Sequence, residues 1–165
     1  SGREKLFNYL NTQKTMLDWS QIIEQAWTLL DIFIAMILGG LIGFEREQSD
    51  KPAGLRTHML IAGSACLFVY LGIYISEDMT FKTPDKALGI DPTRILHAII
   101  VGISFIGGGT ILKSQEDDTI RFLTTAATVL ASGGIGIAVS LKLYVVAVGL
   151  TVLTLFISYA LNKVT

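Results

Sequence analysis

Polar side chains divide the chain into five apolar runs joined by short charged connections. From 27 to 44 the residues are apolar except for Thr28 and Asp31; at about 1.5 Å of rise per residue this nearly covers a hydrocarbon core about 30 Å thick. A second run, 55–75, carries Arg56 and His58 near its start and no charge from Met59 onward. A third, 94–112, opens on Arg94, holds His97 and closes on Gly107-Gly108-Gly109-Thr110, which predicts an irregular backbone near its end. The fourth, 122–141, is uncharged and bears Thr124, Thr125, Thr128, Ser132, Gly133, Gly134 and Gly136, a small hydroxyl-rich face. The fifth, 143–162, is richer in leucine and valine and is expected to face lipid.

The connections complete the topology. Between the first two runs the chain passes Glu45 and Arg46, turns through Pro52 and Gly54, and re-enters an apolar stretch just past Arg56. Residues 76–93 have the composition of a solvated loop, and Asp91-Pro92 reads as an N-cap followed by proline at the first helical position. Residues 113–121 form a short charged link, and Lys142 marks a tight turn. Residues 1–26 mix charged and aromatic side chains and read as a leader, either an interfacial helix or a flexible segment. The expected architecture is an all-α polytopic integral membrane protein, with a single membrane domain over 27–165. Five spans place the ends on opposite sides. Leaving the leader aside, the hairpin side holds Arg46, Lys51, Arg56, Lys113, Arg121 and Lys163, and the other side Lys82, Lys86, Arg94 and Lys142. That bias favours a cytoplasmic hairpin and C-terminus, with the N-terminus outside.

Composition agrees. Hydrophobic residues make up 51% and charged ones 16% of the 165, so the bilayer is the expected solvent. Thirteen basic against fourteen acidic residues give a net charge of -1, without the basic field that gathers nucleic acid. Cys66 is the single cysteine and reads as a small buried side chain. No run of His, Cys, Asp and Glu has transition-metal spacing, no Ser-His-Asp arrangement is placed for hydrolysis, and no Lys-Ser/Thr follows the triple glycine to cradle a nucleotide. The expectation is a protein that is not an enzyme and has no cofactor.

The remaining chemistry lies in glycines and rim charges. Gly39 and Gly43 have the small-x-x-x-small spacing that lets helix backbones approach in lipid, as do Ser104/Gly108 and Ser132/Gly136. Such faces serve packing within one chain or against a second copy. Asp31 reads either as an interfacial carboxylate that snorkels or caps a helix start, or as an intramembrane ion or proton ligand. Glu45, Arg46, Arg56 and Arg94 sit at the ends of apolar runs, where unpaired burial is costly. They read as rim charges that fix topology, or as a latch or ion site in which Glu45 meets an arginine beside the freed backbone groups of glycine-broken helices.

Taken in order, these stretches identify a resemblance. Leu-Gly-Gly-Leu-Ile-Gly-Phe-Glu-Arg-Glu at 38–47, Ala-Gly-Leu-Arg-Thr at 53–57 (Gly54, Arg56, Thr57), Gly-Ile-Ser-Phe-Ile-Gly-Gly-Gly-Thr-Ile at 102–111 (Gly102, Gly107, Gly109), Leu-Thr-Thr-Ala-Ala-Thr at 123–128 and Gly-Ile-Gly at 134–136 together resemble the MgtC/SapB family of small bacterial membrane proteins. The resemblance implies a five-helix inner-membrane protein, in the short form without the soluble C-terminal domain of virulence-type members. It also implies a link to growth at low magnesium, to survival in macrophages for intracellular pathogens, and, for one member, to regulation of the membrane ATP synthase.

Two functions are expected from this reading. The first is a regulatory or interaction subunit whose glycine-rich helices bind another membrane protein or a second copy, with Glu45, Arg46 and Arg56 organising the cytoplasmic rim. The other is a small-ion transporter or channel, for magnesium for example, with Asp31, Glu45, Arg94, Thr124 and Thr125 near the route.

Overall fold

The computed structural model describes residues 19–82, 92–112 and 122–162. Five helices run in chain order: α1 (Trp19–Gln48), α2 (Leu55–Lys82), α3 (Pro92–Leu112), α4 (Leu123–Ser140) and α5 (Tyr144–Asn162), with no strand among the described residues. Four contain stretches long and apolar enough to cross a membrane, Gln21–Gln48, Leu55–Ser76, Thr93–Ile111 and Leu123–Ser140, and α5 is apolar over Tyr144–Ala160. The protein is a multi-pass membrane protein.

Two boundaries differ from the hydropathy reading. Helix α1 begins at Trp19, eight residues before the apolar run, so 19–26 extend the first membrane helix; residues 1–18 of the leader lie outside the described residues. Helix α2 continues to Lys82 through residues read as loop. Helical hydrogen bonding does not stop where lipid does, and Glu, Asp, Met and Lys cost little in a solvated helix. Proline opens α3 as expected, while Asp91 lies outside the described residues.

The triple glycine does not interrupt α3. Gly107, Gly108 and Gly109 are helical, no described glycine has positive φ, and the Thr110 hydroxyl donates to the Gly107 carbonyl at 2.7 Å. A broken backbone would leave amides and carbonyls without partners in hydrocarbon, and that cost exceeds the modest preference of glycine against helix.

Helix α4 occupies the centre and touches all four others, while α1 and α2 form the most extensive pair. Two clusters fill the bundle: Ala35, Ile42, Ala62, Cys66, Ile135 and Val139 where α1, α2 and α4 meet, and Ile61, Ala65, Val69, Ile99, Ile103 and Val129 among α2, α3 and α4. Helix α5 contacts α4 and α1 and turns Val145, Leu153 and Phe156 outward, as its Leu/Val composition leads one to expect.

Small residues set these distances. A Cβ on Gly39 would lie 2.6 Å from the His58 carbonyl oxygen, and one on Gly43 would lie 2.7 Å from Leu55 Cα. The Gly39/Gly43 face is therefore spent inside the chain, on α2. Gly136 sits equally tightly against the α2 backbone at Ala62.

Candidate functional site

The α1–α2 hairpin is built from matched helix ends. At the end of α1 the Lys51 amide donates to the Arg46 carbonyl (3.0 Å) and the Asp50 amide to the Glu47 carbonyl (3.2 Å), with Asp50 left-handed at φ 52°. This is a Schellman closure, with Asp where glycine is commonest. Glu47 then reaches across: its Oε2 accepts the Leu55 amide at 2.8 Å, satisfying an open donor at the start of α2. A Cβ on Gly54 would stand 2.7 Å from that same oxygen, so the glycine makes room for the cap.

Arg46 is buried, 2% exposed, in a lipid-bounded protein where a bare guanidinium is costly. Its partner is its neighbour. Nε donates to Glu45 Oε2 at 2.5 Å and Nη2 to Oε1 at 2.6 Å, a two-bond fork, and Ser49 Oγ donates to Oε1 at 3.2 Å. Arg56, by contrast, is exposed on the outer side of α2 and Thr57 is half-buried, so the arginine that meets Glu45 is Arg46.

Directly beneath lies His58, fully buried against Gly43. Its Nδ1–H donates to the Gly54 carbonyl at 2.9 Å, and Nε2 lies 3.3 Å from Thr128 Oγ1 on α4. The Thr128 hydroxyl is also 2.9 Å from the Thr125 carbonyl, and Ser132 donates to the Thr128 carbonyl at 3.1 Å. With a neutral ring, the single Thr128 hydrogen must choose between Nε2 and the carbonyl. When that hydrogen goes to Nε2, the Thr125 carbonyl still accepts its helical amide, so the neutral ring leaves no group without a partner.

At the other end of the bundle, buried Asp31 accepts from Lys142 Nζ and, at 2.6 Å, from the Tyr144 hydroxyl. Lys142 holds a left-handed φ of 61° in a second Schellman closure, its amide bonded to Val139 and that of Leu143 to Ala138. Asp31 thus ties α1 to the α4–α5 turn. Hydrogen bonding to Asp31 raises the Lys142 pKa above its usual value. A raised folded-state pKa means that this tie is fully present below the ordinary lysine range and is lost only as pH rises through the folded value. An Asp31→Asn chain should lose about 1–2 kcal/mol, modest because Lys142 is largely open to solvent. Unfolding in mixed micelles at pH 7 and pH 10 checks this, with the gap between the two chains unchanged across that interval.

Other expected residues scatter. Thr125 points inward and Thr124 outward; Gly107 packs on Ala126 of α4, whereas Gly102 and Gly109 face open space; Arg94 is exposed at the end remote from the hairpin. The structure joins Glu45 to Arg46 and joins Thr125, through Thr128, to His58. Asp31 and Arg94 lie at the end remote from the hairpin and Glu45, Thr124 and Thr125 towards the hairpin end, with Arg94 and Thr124 exposed. Among the described residues no three His, Cys, Asp or Glu side chains converge as a metal site.

Comparison with known proteins decides the family: the MgtC family's sequence profile matches residues 32–165. The chain belongs to the MgtC family. Among the family's curated proteins, Protein MgtC of Salmonella typhimurium is 35% identical over 135 residues, 82% of this chain and 52% of that protein. A protein of Escherichia coli K12 named as the putative magnesium transporter YhiD is 33% identical over 137 residues, 83% of this chain and 61% of its own length. An uncharacterized protein of Haemophilus influenzae is 40% identical over 107 residues, 65% of this chain and 44% of the relative. The chain thus spans about half the length of the curated relatives it matches. No solved structure matches it.

The contact between His58 and Thr128 is one that reading the sequence did not single out. Seventy residues separate them. The available signal was a histidine one turn into an apolar helix, which needs a partner in lipid, together with the 125/128/132 stripe of hydroxyls on another helix.

Proposed function

We propose that this MgtC family protein is a regulatory or interaction subunit of the bacterial inner membrane, linked to magnesium limitation and ion homeostasis, with its hairpin on the cytoplasmic side. The observation that supports this reading is that both acidic anchors, part-buried Glu45 and buried Asp31, are already paired within the chain: Glu45 with Arg46, and Asp31 with Lys142, with the Tyr144 hydroxyl donating to it as well. Magnesium is held by carboxylate oxygens and water, and a conduit for it needs carboxylates that can be spared.

One face open to a partner is the outer face of α3. Val101 and Phe105 are 68% and 82% exposed. Beside them Ser104 is exposed, and a Cβ on Gly108 would meet nothing within 4 Å. A small residue next to a serine on an open membrane face is suited to close approach by a helix of another membrane protein. The magnesium-transporter name of the Escherichia coli relative keeps ion movement as the second reading, with Asp31 and Glu45 as its residues.

The test is Gly108→Leu, assayed by complementation of growth at low magnesium in a strain lacking its own family member. Complementation should fall at least tenfold while the amount of folded protein in the membrane is unchanged, because the site faces outward. Full complementation by this variant, and by a Ser104→Leu companion, would defeat the reading.

A further inference from the structure

A groove of about 880 Å³ opens on the membrane-facing side between α2 and α3. Its floor is the buried row Ile61, Ala65, Ile99 and Ile103. Its walls include Leu60 and Phe68 of α2, which are 60% and 53% exposed. Along α3 the lining runs from Arg94 to Ile106, about 18 Å at the helical rise. That exceeds one leaflet of a hydrocarbon core about 30 Å thick. Gly102 lies midway on this wall, and a Cβ there would meet nothing within 4 Å. This groove face of α3 is distinct from the Val101–Ser104–Gly108 face.

The lining is apolar nearly throughout. Ser64 is its one hydroxyl, and its one charge is Arg94, at the end where Ile95 packs on Gly72, remote from the hairpin. Arg94 is exposed, and the ion pairs among the described residues, Arg46–Glu45 and Lys142–Asp31, do not involve it. A guanidinium at the membrane surface, above a leaflet-deep apolar slot, complements a molecule with one anionic end and a long hydrocarbon tail.

We infer that this groove is a binding site for an anionic phospholipid. Its phosphate pairs with Arg94, and an acyl chain lies along Ile99, Gly102 and Ile106. The inference does not depend on whether the protein regulates or transports.

The probe is a vesicle of equal parts phosphatidylglycerol and phosphatidylcholine containing the whole chain, with bound lipid read by native mass spectrometry after gentle extraction. The chain should retain phosphatidylglycerol about fivefold over phosphatidylcholine, the worth of one arginine at an anionic membrane surface. Arg94→Gln should bring the ratio to about one, Arg94→Lys should keep most of it, and Gly102→Leu should cut retention of both lipids. Both positions face open space, so folding should persist, and a circular dichroism spectrum verifies that it does. Equal retention of the two lipids by the native chain, or an unchanged ratio in Arg94→Gln, would overturn the assignment. So would ready disulfide cross-linking of Gly102→Cys chains, since it would put a second copy in the groove.

Discussion

Replacing Glu45 with glutamine should destabilise the protein by about 3 kcal/mol, because the change strands a buried cation. Arg46 is 2% exposed and its Nε and Nη2 both end on the Glu45 carboxylate. Glutamine keeps one carbonyl acceptor but removes the charge and the second fork oxygen, which places the cost at the lower end of that for breaking a buried pair. The double variant Glu45→Gln/Arg46→Met should recover much of the loss, since removing both charges leaves nothing stranded. Unfolding in mixed micelles of dodecyl maltoside and SDS reads both. If the double change costs as much as the sum of the two single changes, the two residues are not acting as a pair.

Gly39→Leu should be the most damaging single change in the α1–α2 interface. Its Cβ would lie 2.6 Å from the His58 carbonyl oxygen and 2.7 Å from Ala62 Cβ, and the first of these is backbone of the facing helix, which cannot rotate away. Even alanine has to push the helices apart, at about 1–3 kcal/mol; leucine should cost more than 3 kcal/mol and abolish folded protein in the membrane. Gly109→Ala is the control. A Cβ there meets nothing within 4 Å, so the change should be neutral or stabilise by about 0.5 kcal/mol through helix propensity. Equal stability of Gly39→Leu and the native chain in the same micelles would show that the hairpin does not close through this glycine.

Much of the bundle was legible because lipid simplifies the problem. An uncharged run such as 59–75 has few alternatives to a spanning helix, and Gly39 and Gly43 announced a close contact correctly without naming the partner helix. What failed did so for identifiable reasons. The triple glycine suggested a break because glycine is weak in water-exposed helices, whereas in hydrocarbon the backbone keeps its hydrogen bonds. The latch reading had Glu45 meet an arginine of the hairpin, and the structure gives it Arg46, with Arg56 turned outward. Adjacent residues point about 100° apart on a helix, and only the length of both side chains lets Arg46 fold back onto its neighbour. Asp31 carried two readings until the chain brought Lys142 to it across 111 residues. The His58–Thr128 contact depends on how α4 sits between the other helices, which hydropathy does not encode.

Under the proposed function Glu45 and Asp31 hold the bundle together and carry nothing through it. Magnesium entry into proteoliposomes, followed with an enclosed magnesium-sensitive dye, tests this for the native chain and for Glu45→Gln at a temperature where both remain folded. Both should match protein-free vesicles. Robust entry through the native chain that Glu45→Gln slows would contradict the claim and make Glu45 part of an ion path.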